Sequence, residues 1–248
     1  MSTGTRRAKT RRLHRQPAPD RSSIAVEPAR YFAWQGLRCR LAAALLLLPA
    51  LPLMGVLTLI IKLFSRGPAI YRQTRVGLNG RIFVMYKFRS MRVNAEAATG
   101  PVWTAENDPR ITRLGRFLRA MHLDEFPQLF NVVKGEMALI GPRPERPEFT
   151  HKLAREIPGY LDRLTVRPGI TGMAQINLPP DTDLDSVRRK LDLDLIYIRE
   201  GRLLLDLRIL ACTFARLLAI KGPRVTRCFG LERMPYFSQR ESAEAAWR

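Results

Sequence analysis

One apolar run dominates the pattern of hydrophobic and polar positions along the chain. Residues 41–61 carry no charge over 21 consecutive positions. As a straight α-helix this run would measure about 31 Å, at 1.5 Å per residue, and that length matches the hydrocarbon core of a bilayer. The pattern therefore predicts a membrane helix, which we place at residues 37–64.

Two prolines inside this run argue against a straight span. Pro49 and Pro52 each lack an amide donor and clash with the preceding turn, and sharp kinks are usually found at such residues. We therefore predict a re-entrant helix that breaks near Pro52. A spanning helix and a buried helix of a soluble domain are the alternatives, and a secretory signal peptide is disfavoured by the long leading segment. Basic residues flank both ends of the run, which favours both ends on the cytoplasmic side; they are Arg38, Arg40, Lys62 and Arg66.

Beyond the apolar run, the residue pattern changes between strand and helix periods. Residues 82–88 alternate like a strand, after an Asn-Gly pair that is typical of a hairpin turn. Residues 111–122 show helical spacing, and Pro127 fits the first turn of a further helix that Gly135 would end. A loop is predicted at 94–108, a proline-rich turn followed by a helix at 144–164, and a tight loop at 167–172. Two more helices are predicted at 185–198 and 203–218, the second of which suits either the membrane surface or the core.

These elements predict an α/β fold: a small mixed, mostly helical domain with an N-terminal re-entrant membrane helix and interfacial amphipathic helices. The basic and polar leading segment has too few apolar residues to form a core, so we expect residues 1–36 to be disordered. The remaining segments are the membrane helix at 37–64, a cytoplasmic domain at 65–222 and a loosely structured tail at 223–248.

The chain is strongly basic, with 42 Lys and Arg against 22 Asp and Glu and a formal net charge of +20. This excess predicts an anionic partner, which could be nucleic acid, anionic lipid or a phosphorylated substrate. Cys39, Cys212 and Cys228 form no closely spaced pair, so we expect reduced thiols in a cytosolic compartment. The three histidines show no zinc-ligand spacing.

Two adjacent carboxylates stand out in this basic chain. Asp124 and Glu125 lie between a run of arginines at 110–119 and a Gly-Pro-Arg-Pro turn at 141–144. A carboxylate pair among guanidinium groups suits chemistry on phosphate, because it can supply a nucleophile and a metal ligand while the arginines hold the anion. Taken alone, two acids before Pro127 are more often ordinary helix-start residues.

Several long motifs, in order, resemble the bacterial sugar transferase family in its minimal catalytic form. They are KLFSRGPAIYRQTRVGLNGRIFVMYKFRSM, NDPRITRLGRFLR, LDEFPQLFNVVKGEMALIGPRP and RPGITGMAQIN, together with the region at 194–213. The resemblance implies a monotopic phosphoglycosyl transferase at the inner membrane of a bacterium, with its catalytic domain facing the cytoplasm. Such an enzyme moves a sugar-1-phosphate from a UDP-sugar to polyprenol phosphate, in the first membrane step of exopolysaccharide or other glycoconjugate synthesis.

The resemblance also implies roles for individual residues. Asp124 would be the nucleophile of a ping-pong reaction through a phosphosugar-aspartate, and Glu125 would hold Mg²⁺. Pro142 and Arg143 would meet the donor's pyrophosphate or nucleoside. The residues expected to contact phosphates are Lys87, Arg89, Arg110 and Arg119, and Arg167 and Gln175 match a later substrate-binding loop.

The chain departs from the family pattern at several positions. Leu51-Pro52 stands where relatives often carry Ser-Pro, so no hydroxyl is present to satisfy a carbonyl freed at the break. His122 replaces a common Ser, and Glu136 a common Asp. Residues 176–186 replace a short Gly-Arg turn, and we expect them to shape sugar or acceptor specificity. The alternative function is that of a membrane-tethered basic nucleic-acid or scaffold protein without catalysis, although no nucleic-acid motif supports it.

Overall fold

The computed structural model describes residues 28–97, 100, 102, 108–217 and 226–231. Most of the described domain is helical, and its two sheets have two short strands each. The fold is therefore mixed and helix-rich, as the sequence predicts. The predicted disordered segment and the predicted tail lie largely outside the described residues.

A long apolar helix, α1 (Phe32–Phe64), leads into the domain. It begins at Phe32 rather than at the predicted residue 37, and it runs through Pro49 and Pro52 without interruption. It is long and apolar enough to cross a membrane. Its buried residues recur every three or four positions and form one stripe that joins the main core, whereas leucines on the other faces are exposed. The buried stripe comprises Phe32, Gln35, Gly36, Cys39, Ala43, Leu47, Ala50, Met54, Leu57 and Ile61.

An antiparallel hairpin follows α1. Its strands are β1 (Ile70–Val76) and β2 (Ile82–Phe88), and the predicted strand coincides with β2. The connecting turn has positive φ at Asn79 and Gly80, as an Asn-Gly hairpin turn requires. The hairpin prediction is confirmed.

Two short helices flank the acidic pair. The first, α2 (Arg113–Ala120), is capped by the Thr112 hydroxyl, which accepts a hydrogen bond from the Gly115 amide. The second, α3 (Gln128–Lys134), ends at Gly135 with φ of 82°, as predicted. α3, which follows the acidic pair in the chain, packs against α1.

A parallel pair of three-residue strands organises the second half of the domain. These strands are β3 (Ala138–Ile140) and β4 (Gly169–Thr171). Four helices belong to the same half: α4 (Pro147–Glu156), α5 (Met173–Asn177), α6 (Leu184–Glu200) and α7 (Leu203–Leu217). Of these, α7 packs against both strands, α5 packs against α6 and α7, and α4 packs against β1. A capping box formed by Asp183 and Ser186 fixes the start of α6.

A buried polar network ties the start of α1 to α6 and α7. The Gln35 amide donates to Asp206 Oδ2 at 2.9 Å and to the Tyr197 hydroxyl at 2.7 Å. The Tyr197 and Tyr31 hydroxyls donate to the same carboxylate at 2.7 and 2.6 Å. These hydrogen bonds between buried groups fix the start of α1 against α6 and α7.

Candidate active site

The acidic pair lies on a short 3₁₀ turn, Leu123–Glu125, between α2 and α3. His122 begins this turn in the left-handed region, with φ of 52°. Pro127 then precedes the first residue of α3. The two carboxylates therefore sit just before α3, close to the helix N-terminus that the sequence predicts.

Glu125 is held by two cations from distant segments. Its Oε1 lies 3.1 Å from Lys87 Nζ, on β2, and 2.8 Å from Arg143 Nη2, in the Gly-Pro-Arg-Pro turn. Burial opposes the ionisation of Glu125, but the charges and hydrogen bonds of Arg143 and Lys87 outweigh it and hold its pKa below the ordinary value. Burial lowers the pKa of Lys87 to about 8, despite the nearby carboxylate.

Asp124 differs from Glu125 in its contacts. It is 7% exposed and accepts no hydrogen bond from any described residue. Burial raises its pKa, and the positive charges of Lys87, Arg119 and Arg143 act in the opposite direction. A buried carboxylate without a bonding partner, facing three cations, is available to attack an electrophile that carries negative charge.

Arg119 is oriented by Ser90, a residue that is not among the predicted site residues. Its Nε donates to Ser90 Oγ at 2.9 Å, and its charge acts on Asp124. The backbone of Ser90 lies directly against α2, where a Cβ on Gly115 would meet the Ser90 carbonyl at 1.9 Å. Ser90 directly follows Arg89 in the FRSM motif, but its contact with Arg119 joins residues 29 positions apart, and no local sequence signal reveals it.

The other candidate residues have partners elsewhere. Arg110 pairs with Asp108 through Nε at 2.9 Å, and Arg89 donates to the Ser65 carbonyl just after α1 at 2.8 Å. Arg167 donates to the Gly135 carbonyl at the far end of α3, and Gln175 donates to the Ile170 carbonyl. Among the described residues, the direct contacts to the acidic pair come from Lys87 and Arg143.

The carboxylates suit a magnesium ion that is shared with a substrate. No group of three potential ligand residues occurs among the described residues. Both cation contacts of Glu125 go to Oε1, which leaves Oε2 without a partner in the described part of the chain. Mg²⁺ usually binds one or two carboxylates together with substrate phosphates and water, so the donor set present here fits that mode.

Fold and site together define a helix-rich domain with a buried acidic pair among cations, which follows a long apolar helix. A sequence model described as bacterial sugar transferase matches residues 37–219. The chain belongs to the bacterial sugar transferase family.

Relatives in this family carry names of sugar-phosphate transferases. The chain is 49% identical over 142 residues to a putative undecaprenyl-phosphate N-acetylgalactosaminyl 1-phosphate transferase of Bacillus subtilis, covering 57% of this chain and 79% of the relative. It is 40% identical over 223 residues to a UDP-N-acetylgalactosamine-undecaprenyl-phosphate N-acetylgalactosaminephosphotransferase of Aeromonas hydrophila, covering 90% and 51%. It is 41% identical over 189 residues to a UDP-glucose:undecaprenyl-phosphate glucose-1-phosphate transferase of Xanthomonas campestris, covering 75% and 39%. The chain thus spans about half or less of the length of the last two relatives.

Proposed function

We propose that this protein transfers a sugar-1-phosphate from a UDP-sugar to undecaprenyl phosphate, giving undecaprenyl-diphospho-sugar and UMP. The observation that carries the proposal is the buried carboxylate of Asp124, which accepts no hydrogen bond from the described residues and lies beside Glu125 and the cations of Lys87, Arg119 and Arg143. The names of the family members support the same reaction class. Those names specify different sugars, so the sugar that this protein transfers has to be determined by experiment.

The reaction would proceed in two displacements at one phosphorus. A carboxylate oxygen of Asp124 attacks the phosphorus that bears the sugar, and the bond from that phosphorus to the bridging oxygen breaks, releasing UMP. A phosphate oxygen of the lipid then attacks the same phosphorus and displaces the aspartate. Lipid phosphate is ionised near neutral pH, so the second step needs no strong general base.

The cations would neutralise the donor. Arg143 and Lys87 would exchange part of their contact with Glu125 for the pyrophosphate, and Arg119 would face the transferred phosphoryl group. Phosphoryl transfer depends mainly on such positioning and charge compensation. When bound at Glu125, Mg²⁺ would supply further neutralisation of the diphosphate.

The predicted break near Pro52 is absent, since α1 is continuous through both prolines. We further propose that α1 is nevertheless re-entrant, returning through a bend at Pro49 and Pro52 rather than a break, and that the domain faces the cytoplasm. The start of α1 contacts the domain through Gln35, which donates to the Ile140 carbonyl at 3.1 Å. Its end contacts the same domain through the Ser65 carbonyl, which accepts from Arg89 at 2.8 Å. A helix that crosses the bilayer has its ends on opposite sides, about 30 Å apart, so two ends on one small domain favour return to the same side.

Part of α7 would rest on the anionic inner leaflet. One side of this helix exposes apolar side chains while the other side is buried in the core. Such a helix, on a chain of net charge +20, suits an anionic lipid surface. The exposed residues are Leu203, Leu204, Leu207 and Phe214.

A donor panel tests the activity. Purified protein is incubated with Mg²⁺, undecaprenyl phosphate and each of several UDP-sugars, and UMP release and lipid product are measured. Asp124→Asn is expected to abolish both, with an unchanged melting temperature. Donor labelled in the sugar is expected to leave a covalent label on the wild-type protein when the lipid is omitted, and none on the variant.

Two outcomes would refute the proposal. Equal UMP release by Asp124→Asn would remove Asp124 as the nucleophile, and lipid product without any trapped adduct would exclude the two-step route. No turnover with any donor would favour the non-catalytic scaffold or nucleic-acid binder.

A further inference from the structure

The Gly-Pro-Arg-Pro turn is held in place through its carbonyl groups. Pro142 and Pro144 have no amide hydrogen, so this backbone can be fixed mainly through its acceptors. The Pro142 carbonyl accepts from the Gly169 amide at 2.9 Å. The next two carbonyls, of Arg143 and Pro144, each accept from the side chain of an arginine outside the turn.

The first of these arginines is Arg163, on the 3₁₀ turn Tyr160–Thr165. Its Nη2 donates to the Arg143 carbonyl at 3.0 Å and to Asp194 Oδ2 at 2.6 Å. Its Nη1 donates to the Tyr160 hydroxyl at 2.9 Å. The side chains of the Arg163–Asp194 ion pair are 9% and 2% exposed. The buried guanidinium of Arg163 is therefore held in one orientation by its hydrogen bonds.

The second is Arg75, on β1. Its Nη1 donates to the Pro144 carbonyl at 2.8 Å, and its Nε donates to Gln73 Oε1 at 3.1 Å. The adjacent Val76 amide donates to the Glu145 carbonyl at 2.9 Å. The turn is therefore bound on one side by β1 and on the other by Arg163.

We propose that Arg75 and Arg163 are positioning residues, which hold two consecutive carbonyls of the turn and thereby fix the guanidinium of Arg143. Neither arginine has a contact with the acidic pair, whereas Arg143 Nη2 lies 2.8 Å from Glu125. The inference rests on the proposed function, in which Arg143 meets the donor's pyrophosphate.

Stability alone does not account for the Arg163–Asp194 pair. A buried ion pair roughly breaks even against well-packed apolar residues, because desolvation offsets the attraction. This pair has one hydrogen bond to the backbone of another segment, and that bond goes to the residue whose side chain reaches the site. Planar guanidinium groups with several fixed donors suit this task better than a lysine ammonium.

The test is a mutant cycle with charge-conserving changes. Arg163→Lys and Arg75→Lys keep the charge but lose the fixed fork, so each is expected to lower kcat/KM for the donor about 100-fold, as a small displacement of a binding group can. In an Arg143→Ala background, the same changes are expected to cost little further, because the residue they position is gone. Arg188→Lys, in an exposed pair with Asp185 on α6, is the control and should leave kcat/KM unchanged.

Melting temperatures and a crystal structure separate positioning from folding. If the two lysine variants melt like the wild type and lose activity only when Arg143 is present, the proposal holds. Equal losses with and without Arg143, or no loss at all, would overturn it. A structure of Arg163→Lys that still shows Arg143 on Glu125 would also overturn it, whatever activity the protein has, so this arm is independent of the proposed function.

Discussion

Lys87 Nζ lies 3.1 Å from Oε1 of Glu125, although 38 residues separate them in the chain. Burial lowers the pKa of Lys87 to about 8, so its charge is present below pH 8 and is lost as the pH rises through that value. We expect kcat/KM for the donor to fall above about pH 8, because the free enzyme then lacks one of the cations that meet the diphosphate.

Lys87→Arg provides the check on this assignment. Arginine keeps its charge across the whole pH range. The decrease in kcat/KM at alkaline pH should therefore shift to a higher pH by more than one unit or disappear, even if the maximum value is lower. An unchanged alkaline limb in this variant would mean that another group titrates. The kcat profile of the wild type should fall at a higher pH than kcat/KM, because bound diphosphate favours the charged lysine.

Glu125→Gln should test the proposed Mg²⁺ binding at Glu125 separately from the nucleophilic role of Asp124. The amide keeps the size of the side chain but removes the charge of the proposed Mg²⁺ ligand, so the Mg²⁺ concentration for half-maximal activity should rise roughly tenfold or more. EDTA should abolish UMP release by the wild type, and added Mg²⁺ should restore it. If EDTA leaves activity intact, or the variant needs no more Mg²⁺ than the wild type, Glu125 acts through Lys87 and Arg143 alone.

Gly115→Ala should destabilise the fold, because α2 packs against the backbone of Ser90 at this point. The added Cβ would stand 1.9 Å from the Ser90 carbonyl oxygen, and backbone cannot move aside as cheaply as a side chain. Overpacking of this kind costs about 1–3 kcal/mol or more, and it would also displace Ser90 from Arg119. We expect a lower melting temperature together with lower activity.

Gly55→Ala is the matched control for that change. A Cβ at Gly55, inside α1, would meet no atom within 4 Å, and alanine favours a helix over glycine. The control should therefore retain the melting temperature and the activity. Equal behaviour of the two variants would show that α2 does not depend on the close contact with Ser90.

The sequence predicted the elements whose signals are local. Strand β2 was found from alternation within seven residues, and the end of α3 from Gly135, whose positive φ suits a residue without a side chain. Strands β3 and β4 were missed because three-residue strands with mostly buried side chains show no alternation.

Long-range contacts could not be read from spacing. Asp124 and Glu125 were identified because they are adjacent and lie within a motif. The partners of Arg89 and Arg167, at the end of α1 and the end of α3, depend on where distant segments return in space. The Ser90–Arg119 contact joins residues 29 positions apart, and a serine after an arginine carries no signal of its own for that role.

The topology of α1 can be decided by labelling both of its flanks. Arg30 and Arg66 are exposed and lie on either side of the helix, so each is replaced in turn by cysteine. The exposed native thiol of Cys228 is removed first by Cys228→Ser, while Cys39 and Cys212 are buried. A membrane-impermeant maleimide is then applied to right-side-out spheroplasts and to inverted vesicles.

If α1 returns to the cytoplasmic side, both positions should react in inverted vesicles and neither in spheroplasts. A spanning helix would instead expose one position in each preparation, and the two contacts of α1 with the domain, at Gln35 and at Ser65, could then not exist together in the membrane.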